Sequence, residues 1–524
     1  MIKKIMKQSL SILVVLALGL SGCQDLATQN FNNPDEERAL AQPTDVENLI
    51  AASYYTWFIG LFNGYPMESH STMADYLSYS WGNFGVRDLS SEPRKGIDNT
   101  TSWNYRAFVE TPWFRLYSAI SSTNDGLKAL NDGLEIEEAV RARAFAKFVQ
   151  GSSHAMLAVL HDQAFIFDET VDLETTTLEL SPSQDVFAAG KAQLEEAISL
   201  MDANSFTLEE SWIPGNTFTN VELAQLARTL LAKFMVMQAR TPAERALVDW
   251  NTVMNLLSNG ITSDFVMQDT ETEWWHSNQW YHFNVNTTWG RVDYKLIGSS
   301  DRSSGYQDWL NTPVADRDDF EMDTADLRIW DQTRDADGKQ NDGLYIHNNG
   351  DSRHPASRGT YHHSQYMAIR WPDYRDNNGS GAMYIILAKE LDFLRAEALL
   401  HTGGDLQEVV DIINSTRVTN GGLPPAELTD GPGTIADERD ALKPASLWAM
   451  LKYEKGIETF GTFVSNGFTD RRGWGELVSG TPIHSPIPAA EMEVLQLQVY
   501  TFGGVGGDGA APKRSSEKVG TQVH

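Results

Sequence analysis

The sequence predicts a mainly α fold of helical hairpins carrying one long loop-rich insertion. Three observations predict it. Apolar residues recur at helical spacing over residues 219–259, they do so again over 384–417, and the pattern is lost between 261 and 383.

Helices are expected first at 112–131, 136–167 and 184–201, with Val140, Ala144, Phe148, Leu157 and Leu160 as the core stripe of the second. In 219–259, Thr219 and Glu222 make a capping box, and Leu223, Leu226, Leu230, Phe234 and Met237 share one face. Thr241, Pro242 and Glu244 then open a partner helix, which carries Leu247, Val253 and Leu257 and stops at Gly260. A second hairpin runs from Tyr384 to Arg417. Leu387, Leu391, Leu394 and Ala398 line it, Gly403 and Gly404 end its first helix, and Asp405 with Glu408 caps the next. The period, about 40 residues, is near that of a tetratricopeptide repeat. A later helix is expected at 445–460.

Residues 261–383 are rich in Trp, Tyr, His, Asn, Gly and Asp. Structureless stretches of that length inside a compact domain are functional or disordered, and the density of aromatics argues for function.

The chain starts as a processed export signal. Lys3, Lys4 and Lys7 give the charged end, Ile12 to Leu20 the short apolar stretch, and Leu20-Ser21-Gly22-Cys23 a lipoprotein cleavage site. The apolar run is too short to span a bilayer, which takes roughly 20 residues. The competing reading is an ordinary secretory signal followed by a chance cysteine. Cys23 is the only cysteine, so lipid on its thiol leaves no disulfide, thiolate metal cage or Cys-His pair for the finished chain. At about 0.8 kcal/mol per buried methylene, two or three acyl chains hold a domain on a membrane durably. The expected organisation is a signal at 1–22, a lipidated polar tether at 23–43, a helical domain at 44–503 and a frayed tail at 504–524.

Cleavage removes three lysines and no acid, taking the formal charge from -30 to about -33. Such a surface repels nucleic acid and anionic lipid. The 15 Trp, 17 Tyr and 22 Phe supply a large core, so the residues beyond the tether form one large unit or two closely packed ones.

Two aromatic stretches are candidate ligand platforms. Trp274, Trp275, Trp280, Tyr281 and Trp289 are interleaved with His276, Asn278, Gln279, His282, Asn284 and Asn286. Flat rings stack on the apolar face of a sugar while amides and imidazoles bond its hydroxyls, which suits an uncharged carbohydrate; core packing is the competing reading. The second stretch is Tyr76, Tyr79, Trp81, Asn83 and Phe84, near Trp103 and Tyr105. A packing strip under the first helices accounts for it equally well.

His347, His354, His362 and His363 cluster near Asp342 and Asp351, but without metal-ligand spacing they read as solvated loop histidines. Asp335, Asp337, Gly338, Asn341 and Asp342 hint at calcium. Thr333 and Leu344 stand where an EF-hand needs Asp and Glu, so an acidic turn is the better account. No nucleophile elbow, P-loop or dinucleotide glycine pattern is present, and no metal or cofactor is implied.

Taken in order, several motifs resemble the SusD/RagB nutrient-binding lipoproteins. They are the lipobox cysteine, a Tyr-rich first helix with Tyr54, Tyr55 and Trp57, the segment Arg141 to Asp162, and Leu394-Arg395-Ala396-Glu397-Ala398 with Asn414 and Arg417. Lys452-Tyr453-Glu454, Glu458-Thr459-Phe460-Gly461, Arg471, Arg472 and Trp474, and Pro486-Ile487-Pro488 with Glu491 continue the match. Lys455 and Gly456 depart from it, standing where the family typically has two arginines. So does the Tyr500-Thr501-Phe502-Gly503-Gly504 ending. The resemblance implies a SusD-like, surface-exposed outer-membrane lipoprotein. It would bind an oligosaccharide and deliver it to a SusC-like TonB-dependent transporter, with no catalytic residues. A peptide-binding member of the same fold and a surface hydrolase are the rival readings.

Overall fold

The computed structural model describes residues 40–79, 85–269, 290–351 and 364–514, together with Trp280 and Phe283. Helices make up about half of it, and its short strands form two-stranded ribbons. The predicted fold class of helical hairpins with a loop-rich insertion is the one observed.

The first layer is α1 (Pro43–Phe62), α2 (Met67–Met73), strand β1 (Leu77–Tyr79), the single turn α3 (Val86–Leu89), α4 (Ala107–Asn131) and α5 (Ala139–Leu160). A proline in the first turn of α1 fits a helix start, where its missing N–H costs nothing. Val46, Ile50, Tyr54, Trp57, Phe58 and Leu61 point inward. Strand β2 (Gln163–Phe165) pairs with β3 (Leu180–Pro182), and α6 (Ser183–Ala203) returns against α5. These two helices cross backbone to backbone. A Cβ on Gly151 would stand 2.7 Å from the Gly190 carbonyl oxygen, and one on Gly190 would stand 2.6 Å from Ala155 N. Val140, expected in the α5 stripe, is 37% exposed, because α5 begins only at Ala139 and its first turn overhangs the core.

The ribbon β4 (Thr207–Leu208) with β5 (Phe218–Thr219) leads into α7 (Asn220–Met237), where the expected capping box is present. Thr219 N donates to Glu222 Oε2 at 2.8 Å and Glu222 N to Thr219 Oγ1 at 3.3 Å. All five predicted stripe residues of α7 are buried. Its partner is broken into α8 (Pro242–Ala246) and α9 (Trp250–Ser258), not continuous, with Asp249 accepting from Thr252 N to start α9 afresh. The break leaves Leu247 83% exposed, contrary to its predicted core role. Its cause is Arg245, which is buried and accepts the Trp250 indole N–H on its carbonyl; the chain turns to seat both side chains.

The insertion comprises β6 (Phe265–Asp269), β7 (Gly290–Val292), the short helices α10 (Tyr294–Ile297) and α11 (Gly305–Asn311), β8 (Ile346–Asn348), β9 (Tyr366–Ala368), α12 (Pro372–Asp376) and β10 (Gly381–Ile386). Its two ends are stapled together, since β10 pairs antiparallel with β6 from Gly381↔Asp269 to Ile386↔Phe265. Tyr384, predicted to open a helix, therefore lies in a strand, and α13 (Ala388–Thr402) begins only after it. Gly403 ends α13 at φ 67, and Asp405 caps α14 (Leu406–Arg417) by accepting from Gln407 N. Glu408 pairs with Arg395 on α13 instead of closing the cap. The chain ends with α15 (Leu447–Thr459), α16 (Asn466–Trp474) and α17 (Ala489–Val494). Among the described residues no helix is long and apolar enough to cross a membrane.

The late sequence motifs turn out to be buried ion pairs. Arg245 makes a bidentate contact with Glu397 at 2.8 and 2.9 Å and reaches Asp470 at 2.9 Å. Lys455 holds the same Asp470 at 2.7 Å, and the Trp474 indole donates to Glu397 at 2.9 Å. Burial alone would raise the Glu397 carboxyl, but the Arg245 and Lys455 charges outweigh it and hold it near 2. A second joint places Arg328 between Asp326, Glu454 and Glu458 at 2.7, 2.6 and 2.9 Å. Gly456, where the resembled family carries an arginine, leaves room for Arg439. A Cβ there would lie 3.3 Å from Arg439 Nη1, while the same guanidinium packs over Tyr76 and donates from Nη2 to Glu476.

Breaking such a pair strands a charge without water. Glu397→Ala is expected to cost about 3–5 kcal/mol in chemical denaturation, whereas Arg245→Met combined with Glu397→Leu costs less than that single change. A double variant weaker than E397A would sink this assignment.

Candidate ligand-binding site

Strands β1 and β7 form an antiparallel ribbon in the register Leu77↔Val292, Ser78↔Arg291 and Tyr79↔Gly290. Its far end is the Tyr79↔Gly290 pair, and there the chain continues into residues 80–84 on one strand and arrives from residues 270–289 on the other. The two aromatic stretches singled out in the sequence, far apart along the chain, are thus attached to the same ribbon end. Strand β9 lies beside β7, and the Ser364 hydroxyl just ahead of it bonds the Val292 carbonyl. That contact is at the Leu77↔Val292 end of the ribbon, and residues 352–363, with three of the four clustered histidines, lie outside the described residues.

Trp274, Trp275, Asn278, Tyr281, Trp289, Trp81 and Asn83 lie outside the described residues, as do Cys23, His354, His362 and His363. Trp280 is described, and its predicted platform role needs correcting. The ring is fully buried, 4.2 Å from Trp371 and edge-on to Tyr374 at 5.2 Å. Three positions on, Phe283 is buried edge-on against Phe460 at 5.5 Å. Both rings root their stretch in the core, where a large apolar surface is worth more than it is in water. Tyr76 and Tyr79 are core residues too, so the packing-strip reading holds for them.

Three partly buried rings occur in the first layer. Trp103 lies against Gly85, where the chain re-emerges from residues 80–84, and meets Tyr105 edge-on at 5.9 Å. Tyr65, on the turn between α1 and α2, joins them: burial first, then the nearby Glu68 and Tyr105, push its hydroxyl proton affinity up. Tyr65 escaped the sequence reading, although Gly64-Tyr65-Pro66 has the composition of a turn that presents its central residue. Together the trio offers flat faces and phenolic hydroxyls, a surface able to stack on an apolar ring and bond its hydroxyls.

The base of the ribbon is ionic. Asp75, at a left-handed φ of 51, bonds Arg94 at 2.7 Å and lies 3.5 Å from Lys295 and 3.6 Å from Arg471. Asp293 follows β7 directly, caps α10 by accepting from Lys295 N at 2.8 Å, and donates its own N–H to the Tyr76 carbonyl at 3.0 Å. Burial and the Asp75 charge raise its carboxyl to about 7.

His347 pairs with Asp342, and Asp335 Oδ1 accepts the backbone N–H of Asp337 and Lys339, both at 2.9 Å, which makes the acidic run a self-contained turn. Among the described residues no three His, Cys, Asp or Glu side chains are grouped as metal ligands.

The two classes of ring separate by experiment. Trp280→Ala should lower unfolding stability by about 3–5 kcal/mol as a core deletion, while Trp103→Ala, at a partly buried ring, should cost clearly less. Equal losses would show Trp103 to be core as well.

No protein-family model matches this sequence. No curated protein matches it either. Solved structures do. A SusD superfamily protein from Bacteroides vulgatus superposes with a TM-score of 0.53 at 14% identity, over 87% of this chain and 97% of the other. One from Bacteroides thetaiotaomicron gives 0.54 at 15%, over 88% and 98%. A protein described as a SusD-like carbohydrate-binding protein, from Bacteroides fragilis, gives 0.55 at 14%, over 91% and 96%. Identity this low speaks for the course of the backbone and not for the chemistry of a site, and what it establishes is that this chain has the SusD-like fold.

Proposed function

We propose that the protein is a lipid-anchored binding protein of the outer membrane that captures an oligosaccharide at the far end of the β1–β7 ribbon and passes it to a SusC-like TonB-dependent transporter. The observation that supports the reading is the Tyr79↔Gly290 pair, which makes the sequence neighbours 80–84 and 270–289 start from one ribbon end, with the partly buried Tyr65, Trp103 and Tyr105 elsewhere in the same region of the chain. Aromatic faces interleaved with amides match the alternating apolar faces and hydroxyl edges of sugars. A carbohydrate-binding description attaches to one structural neighbour, which favours the same ligand class here. The lipidated cysteine, the surface location and the barrel partner rest on Leu20-Ser21-Gly22-Cys23 and on the order of motifs along the chain. The protein acts in this reading by holding its ligand, without catalysis.

A peptide ligand is the second reading. Among the described residues the buried Lys and Arg side chains number twelve and the buried Asp and Glu side chains twelve, so the acidic excess lies on the surface, where it favours cationic oligopeptides.

Isothermal titration of residues 24–524 against glycan and peptide panels decides between them: heat with a glycan supports the first reading, heat with cationic peptides alone the second, and silence with both defeats the proposal. Trp274→Ala or Trp275→Ala should weaken glycan binding by about 1–3 kcal/mol at unchanged melting temperature. Cys23→Ser should abolish acylation and move the protein from the membrane to the soluble fraction; retention on the membrane would refute the anchor.

A further inference from the structure

Two carboxylates are buried at the base of the β1–β7 ribbon, one flanking each strand. Asp75 stands just before β1 and Asp293 just after β7, and the Asp293 N–H to Tyr76 carbonyl bond ties the flanks together. The surrounding cations are already committed. Arg94 bonds Asp75 at 2.7 Å, Lys295 bonds Glu92 and approaches Asp75, Arg317 reaches Glu92 at 3.3 Å, and Arg471 bonds the Ala74 carbonyl beside Asp75. Among the described residues no cationic nitrogen comes within ion-pair distance of Asp293, whose one bond is the backbone cap from Lys295.

We propose that this base is a proton-operated latch: Asp293 keeps the ribbon closed while it carries a proton and loosens it once ionised. Every element packed around Asp293 contributes to the balance. The segment ahead of β1 presents Asp75, the segment after α3 presents Glu92 and Arg94, α10 presents Lys295 and α11 the Tyr306 hydroxyl. Arg291 of β7 itself is buried as well. Neutral Asp293 keeps the α10 cap without adding charge. Ionised, it becomes a second buried negative charge beside Asp75, and the Lys295 charge, committed to Glu92 and Asp75, offsets only part of the desolvation cost.

The sign follows from linkage. With the closed-state carboxyl raised from its ordinary 3.8 to about 7, the closed ribbon binds more protons than the opened one between those limits. Closure therefore weakens as pH rises through that window and is weakest above it. The latch does not depend on what the protein binds, so failure of glycan capture leaves it standing, and its own failure leaves capture standing.

Hydrogen–deuterium exchange of the full chain, corrected for the intrinsic pH dependence of exchange, reads it directly. Protection of amides 77–79 and 290–292 should fall about tenfold or more between about pH 5.5 and about pH 8, with no matching fall in Gly381–Ile386. In Asp293→Asn the fall should vanish, with protection fixed near the low-pH level. The infrared carbonyl stretch of a neutral buried carboxyl should titrate away across neutrality in the wild type and be missing in D293N. A wild-type ribbon whose protection ignores pH, or a D293N protein that keeps the wild-type dependence, overturns the proposal. Should D293N not fold, the absence of a carboxylic-acid band titrating near neutrality in the wild type does so alone.

Discussion

Three consecutive residues of α16 bind the molecule together by pointing in three directions. Asp470 turns toward the hairpins, taking Arg245 and Lys455. Arg471 turns toward the ribbon base, meeting the Ala74 carbonyl and Asp75. Arg472 turns toward the first layer, donating to the Val159 carbonyl at the end of α5 and the Met237 carbonyl at the end of α7. The last carbonyls of a helix lack intrahelical donors and carry partial negative charge, so a buried guanidinium there satisfies both needs. Burial lowers the proton affinity of Arg472, because it holds carbonyls and not a carboxylate. Its charge is therefore tolerable only where several helix ends converge.

That arrangement explains why so polar a motif is sequestered. Arginine cannot be neutralised at ordinary pH, so a buried arginine demands acceptors in fixed places and tolerates few packings of the helices that supply them. Apolar packing gives the hairpins their stability, while the ionic joints at Arg245, Arg328 and Arg472 fix how the hairpins sit on one another. Lys455 serves at a position where the resembled family carries arginine, and Arg439 enters from another segment beside Gly456.

The same joints position the candidate site. Through Arg471 and Asp75 the ribbon base is tied to α16, while the far end is the Tyr79↔Gly290 pair. A base tied by buried charges lets the scaffold set the orientation of what it carries. Keeping buried charge balanced leaves the acidic excess outside, which discourages anionic surfaces and leaves neutral sugars unopposed.

The sequence by itself determined the helical hairpins and the local signals that start and stop them. The Thr219–Glu222 box and the Gly403 stop are read from residues a few positions apart because the interactions that make them are equally local. The order of late motifs also disclosed the fold, although their physical role as paired buried charges did not show in it. Only the tertiary structure decided that Tyr384 belongs to a strand stapled to β6, that Leu247 faces water, and that Trp280 packs fully buried on Trp371 while Trp103 is only partly buried. Each of those outcomes depends on a partner distant in the chain. Whether a ring is platform or core, and which carboxylate an arginine holds, is settled by long-range packing that no local pattern encodes.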